Sequence, residues 1–368
     1  MSRRVFLLAV GVTFLTACAG PSTRPPSISA EEYAAEQARQ QIFQIQNFNA
    51  KATRLDNVAF RITAANMTEC GANIVPKLGF RALTQGDVGE AKRAATVVAL
   101  QLDEERPTVI GVVEGGPASR AGMLPGDVVI RVDGHMAPKK AWPSWLKEHV
   151  VNVGSARPMS IEVRRAGRTI MLSSVPVFTC SIPVELAEDS EVNAYTDAKK
   201  IVINTAIVRV AQTDSELATV VGHELAHVTM GHLDKQRQNQ ITGAAAGFVA
   251  DLAVAMVGVN TGGAFTKSGG DAGLTAYATA FEREADYVGA YYAARAGYEL
   301  SGERLWRAMA QENPKVIFFA GLHPTSPERF LQMDKTYAEI GEKIRLRQSL
   351  VPEQKPVAVT QAPPGKDD

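Results

Sequence analysis

The run Thr213-Asp214-Ser215-Glu216-Leu217-Ala218-Thr219-Val220-Val221-Gly222-His223-Glu224-Leu225-Ala226-His227 constrains this chain more than any other stretch. Thr213 followed three residues later by Glu216 is the pattern of a capping box, so a helix opens there. The apolar residues after it recur at helical spacing, which predicts a buried helix. His223 and His227 stand four apart and so share one face, one turn above the other. Two imidazoles placed that way can hold one zinc ion. Glu224, beside the first of them, stands where a general base belongs. Zinc lowers the pKa of a water, and the carboxylate takes its proton as the water attacks a carbonyl.

A third ligand is needed. His232 lies nine residues from His223, about half a turn out of phase on one continuous helix. The better candidate is Glu282 in Phe281-Glu282-Arg283-Glu284-Ala285-Asp286, where Glu282 and Asp286 are again four apart. The first would ligate the metal and the second would orient a ligating histidine. Phe281, Ala285, Tyr287 and Val288 crowd the same turns, so part of this acidic cluster faces something buried.

Val192-Asn193-Ala194-Tyr195, Ile201-Val202-Ile203-Asn204, Glu216-Leu217, the His223–His227 motif, Glu282-x-x-x-Asp286 and His323-Pro324 follow one another in order. In this the chain, from about Asn193 to Arg329, resembles the HtpX- and BepA-like zinc metallopeptidases, the family that also contains the CAAX prenyl protease. The resemblance implies a mostly helical gluzincin domain with zinc on His223, His227 and Glu282, and Glu224 as base. It implies that Asn193 and the strand with Ile201, Val202 and Ile203 form the edge on which an extended substrate peptide lies, held by main-chain pairing. It also places His323 close to the active site. There the histidine would stabilise the oxyanion, or occupy the fourth zinc position in a resting enzyme, or simply belong to a helix-start turn; the sequence leaves the three open.

Length and composition bound the rest. The 368 residues suffice for about two domains, and 45% hydrophobic with 21% charged residues is ordinary for a globular chain. Lys plus Arg equals Asp plus Glu at 39 each, and no basic footprint for nucleic acid is present. Met1-Ser2-Arg3-Arg4 followed by apolar Val5–Leu15 reads as a signal peptide over 1–17. Leu15-Thr16-Ala17-Cys18 resembles a bacterial lipobox, which implies a lipid on Cys18 and, with Ala19 next, an outer-membrane anchor facing the periplasm. Residues 18–29 are then a tether, and 30–70 form one or two helices of which the later part packs on the peptidase.

Residues 71–179 are of another kind. Gly115-Gly116-Pro117-Ala118, Ala121-Gly122 and Gly126-Asp127 separate short β-rich runs. The series resembles a bacterial PDZ domain. Leu78, Gly79 and Phe80 match the loop whose backbone N–H groups hold a peptide C-terminus there, with Trp145–Val151 as the helix across the groove. Such a domain either selects substrates or only shields the active site. Cys70 and Cys180 flank it, and in an oxidising periplasm they are expected to pair. Residues 180–345 would be the peptidase domain and 346–368 a disordered tail. Within the former, apolar Gly243–Val259 reads as a packed helix or a hairpin dipping into a membrane surface.

The expected fold is α+β, a mostly helical gluzincin domain with a small edge sheet plus an inserted β-rich PDZ-like domain. The expected function is a lipid-anchored periplasmic zinc endopeptidase, one zinc per chain, acting on unfolded or misassembled envelope proteins. The alternative is an assembly factor for outer-membrane proteins, linked to their assembly machinery, whose zinc site is normally closed.

Overall fold

The computed structural model describes residues 22–151, 157–256, 259–275, 278–301, 303–312 and 327–355. Cys18, the 1–17 segment, His323 and residues 356–368 lie outside the described residues. The chain divides into two compact units at Gln41. The first contains the opening third of α1 (Ala30–Ala65), which Ser29 and Glu32 cap reciprocally. Everything that bears on the site lies in the second unit, Ile42–Asp368.

The fold is α+β. Residues 30–65 form one continuous helix, whose later half carries Leu55, Val58, Ala59 and Ile62 into the hydrophobic core. There they join Leu217, Val221 and Leu225 of α6 (Asp214–Thr229) and Ala285 and Tyr292 of α9 (Ala278–Arg295). Each fully buried aliphatic side chain stabilises this core by about 1.5–3 kcal/mol. Arg54 ties the same helix to the start of α6 by an ion pair to Asp214 at 2.7 Å and by donation to the carbonyls of Val208 and Ala211.

The β-rich part is built on strands β1 (Ile74–Lys77), β2 (Phe80–Leu83), β3 (Thr108–Val112), β4 (Val128–Val132), β5 (His135–Met136), β6 (Met159–Arg165) and β7 (Arg168–Ser174). The order β2-β3-β4-β6-β7, with β5 on β4, is antiparallel throughout and leaves β2 at the edge. Helix α4 (Trp142–Val151) closes its core, where Trp142 packs with Leu78, Val129 and Ile161. Alternating burial along β6 is what a sheet covered on one face requires. Strand β1 pairs instead with β8 (Val177–Cys180), and the Cys70–Cys180 disulfide closes the two ends of the segment beside that pair.

A three-stranded sheet leads into α6, and its order corrects one expectation. Ile201–Asn204 (β11) is the central strand, antiparallel to β10 (Ala194–Thr196) and parallel to β9 (Val184–Ala187). It is therefore not the sheet's edge: Ile201, Val202 and Ile203 are buried, as four successive buried positions demand of a strand covered on both faces. The outer strand on the side of Asn193 is β10. Residues 346–355 continue past the expected boundary at 345 against the helices. Arg295 donates to the Leu350 carbonyl at 2.7 Å, and the Glu353 N–H donates to the Tyr287 hydroxyl at 2.9 Å.

Candidate active site

The capping box is present. The Glu216 N–H donates to the Thr213 hydroxyl at 3.2 Å, and the Glu216 carboxylate accepts from the N–H groups of Gln212 and Thr213 and from Arg304. Burial opposes ionisation of Glu216, yet Arg304 and those two N–H groups hold it below the usual carboxylate range. The helix so started carries His223, Glu224 and His227 inward, all buried.

Helix α9 meets α6 at two glycines. A Cβ on Gly222 would lie 2.7 Å from the Gly289 carbonyl oxygen, and one on Gly289 would lie 2.7 Å from the His223 nitrogen. Only glycine at both positions allows this approach, and the approach carries Glu282 to the two histidines. His223 and His227 turn their Nε2 atoms to within 3.1 Å of each other, and the Glu282 carboxylate lies 3.5 and 3.3 Å from them. One donor atom from each of the three residues falls within a span of 4.8 Å. Two imidazole nitrogens and a carboxylate oxygen, buried and convergent, are the donor set of a catalytic zinc site that keeps a fourth position for water or substrate. The residues present fit that metal.

Each imidazole is held from behind. The Asp286 carboxylate is 3.0 Å from His223 Nδ1, which fixes the proton on Nδ1 and leaves Nε2 as donor to a metal. Arg329, from the first turn of the helix Pro327–Arg345, grips Asp286 with two hydrogen bonds of 2.7 and 2.8 Å. Burial works against the Asp286 charge, but Arg329 and His223 together keep it below the ordinary carboxylate range. Burial likewise disfavours a charged His223, and the Asp286 and Glu282 carboxylates outweigh it, raising the imidazole to about 10. The negative field that holds a proton so firmly is one that would favour a metal cation.

His232, out of phase on a continuous helix, reaches the site because the helix is not continuous. Gly231 adopts a left-handed conformation with φ of 64°, and α7 (His232–Ala255) starts anew. The turn brings His232 Nδ1 to 3.0 Å from His227 Nδ1, with His232 Nε2 at 2.9 Å from Glu284. With Nε2 of His227 directed at the metal position, its Nδ1 carries the proton and donates to His232, which in turn donates to Glu284. His232 and Glu284 are thus positioning residues for His227, and so is Arg329 for His223. Sequence spacing missed all three; Gly231, a natural helix stop, was the one available signal.

Leu78, Gly79 and Phe80 lie elsewhere, along a groove of about 390 Å³ between β2 and α4, lined also by Leu146, Lys147 and Val150. Its remaining wall comes from Asp56 and Phe60 of α1 and from Pro183 and Val184 at the start of β9. Burial, reinforced by the nearby Lys147 and opposed by Asp56, holds Lys77 below the usual lysine range; Arg81 and Lys147 line the same groove.

The fold and site define a metallopeptidase domain. Residues 176–337 match the model of Peptidase family M48. The beta-barrel assembly-enhancing protease of Escherichia coli (strain K12) is 30% identical over 123 residues, covering 31% of this chain and 25% of its own length. Its counterpart in Yersinia pestis is 29% identical over 122 residues, with the same coverage. The chain thus spans about a quarter of the length of these relatives. Among solved structures, the HtrA-type protease AlgW with a decapeptide is 29% identical over 31% of this chain and 32% of that one, at a TM-score of 0.24. The PDZ domain of HtrA3 with a phage-derived ligand is 23% identical over 29% of this chain and 88% of that one, at a TM-score of 0.23.

Proposed function

We propose that this chain is a zinc-dependent endopeptidase of the bacterial envelope that cuts extended segments of unfolded or misassembled envelope proteins. The convergence of His223, His227 and Glu282 within 4.8 Å, with Glu224 buried beside them, carries the reading. Zinc held there would act as a Lewis acid toward the scissile carbonyl. Glu224 takes the proton of the attacking water and passes it to the leaving amine. Asp286 and His232 keep the two imidazoles in the tautomers that ligation needs, and Arg329 keeps Asp286 ionised.

The substrate strand lies along β10, Ala194–Thr196, which Asn193 leads into, rather than along Ile201–Ile203. Main-chain pairing at a sheet edge holds a peptide without regard to its sequence, which suits a protease of misfolded chains. The groove at Leu78–Phe80 receives a substrate C-terminus, with backbone N–H groups on the carboxylate and Lys77 and Lys147 supplying charge. A lipid on Cys18 anchors the chain to the outer membrane. His323, outside the described residues, would act on the oxyanion, serve as a resting fourth ligand, or simply belong to a helix-start turn.

Degradation assays test this. The chain should degrade an unfolded protein and spare its folded form, chelation should stop it, and amidating the substrate C-terminus should raise KM with little change in kcat. Equal cleavage of folded and unfolded forms would overturn the substrate reading. The name of the relatives supports a second reading, an assembly factor for outer-membrane proteins. In that case Glu224→Gln would keep the cellular role.

A further inference from the structure

We propose that the hairpin of α7 and α8 (Ala264–Thr275) is a membrane-docking element whose tip lies in the interface of a lipid bilayer. Its packing is inverted relative to that of a water-facing hairpin. The two helices meet through glycine, a Cβ on Gly243 falling 2.1 Å from the Gly269 carbonyl oxygen and one on Gly247 falling 1.9 Å from that of Phe265. The large apolar side chains point outward instead: Phe248, Val249, Leu252, Met256, Val259 and Phe265 are between 46% and 78% exposed. Water drives large apolar groups inward, whereas helices in lipid pack through small residues and turn the large ones out. Phe248, Leu252 and Met256 follow at four-residue steps and share one face of α7.

Charge points the same way. From Gln238 to Thr266 the single charged residue is Asp251. Its carboxylate accepts from the hydroxyls of Thr261 and Thr266 and from the N–H groups of Phe265 and Thr266, where it caps the start of α8. A protein partner would need a polar rim and interfacial hydrogen bonds. Apart from Asp251, the stretch Phe248–Val259 offers only apolar side chains and glycine. Among the described residues no helix is long and apolar enough to cross a membrane, so the hairpin lies in the interface rather than spanning it. Exposed Lys267, one turn into α8, can reach the headgroups. Because α7 follows the metal helix and α8 leads into the Glu282 helix, docking holds the catalytic cleft at the lipid surface. The inference does not depend on catalysis.

The test uses the chain from Ala19 onward, which carries neither the apolar 1–17 segment nor an acylated cysteine, and vesicles of phosphatidylethanolamine and phosphatidylglycerol. Flotation is compared with that of the same chain carrying F248S, L252S and M256S, whose exposed positions leave folding intact, as equal melting temperatures would verify. The parent should float, and the triple variant's partition should fall about a hundredfold. A parent that stays unbound, or a triple variant that floats equally well, overturns the proposal. So does a parent that ignores vesicles but runs as a dimer that the triple variant dissolves, since the occupant of the face is then a second copy.

Discussion

Gly222 and Gly289 set the distance between the two ligand-bearing helices, and Gly222→Ala follows from that geometry with a definite size. The new Cβ would stand 2.7 Å from the Gly289 carbonyl oxygen, where ordinary contact begins at 3.4 Å. Both partners are rigid helix backbone, so α6 and α9 must part by about 0.7 Å. Metal–ligand distances tolerate only about 0.2 Å, so Glu282 leaves the position it shares with His223 and His227. The expected result is a zinc affinity about 10–100-fold weaker, the range seen when ligand support is lost, with overpacking costing about 1–3 kcal/mol of stability. Competition against a fluorescent chelator reads the first and chemical denaturation the second. Gly341→Ala serves as control, because a Cβ there meets nothing within 4 Å. A Gly222→Ala protein with parental zinc affinity and parental stability would refute the reasoning.

Other expectations follow from the same contacts. His232→Ala should weaken zinc binding about tenfold while the far-UV spectrum stays that of the parent, because His227 loses the partner that fixes its tautomer; unchanged affinity would remove His232 from the site. Glu216 is held below its usual 4.5, so its contribution to stability is full above that pH and is lost as pH falls through its folded value. Glu216→Gln should therefore flatten the acid limb of a stability-against-pH curve, and a parallel limb would deny the cap this role. Breaking Cys70–Cys180, which spans 110 residues, should cost about 2–5 kcal/mol, read as a lower unfolding midpoint under reducing conditions. No shift on reduction would mean the staple does not constrain the unfolded chain.

Much of the site was legible because it follows local rules. Thr213 and Glu216 announced the helix start, and spacing alone put His223 with His227 and Glu282 with Asp286 on common faces. Other features depart from the sequence reading. Ile201–Asn204 looked like an edge from family resemblance, though an unbroken apolar run already indicated a strand covered on both sides. On one continuous helix His232 points away from His223, and the left-handed Gly231 breaks that helix, which no spacing rule foretells. Arg329 reaches Asp286 from 43 residues downstream, and no period in the sequence encodes such a meeting. The groove between β2 and α4 was read from its loop, but not the wall that α1 adds to it.

The central claim is that His223, His227 and Glu282 hold a catalytic zinc served by Glu224. Elemental analysis and degradation of unfolded casein, on the parent beside Glu224→Gln, test it most directly. The account predicts about one zinc per chain in both proteins and cleavage by the parent alone. Absence of zinc from both, or cleavage by Glu224→Gln at the parental rate, would contradict it.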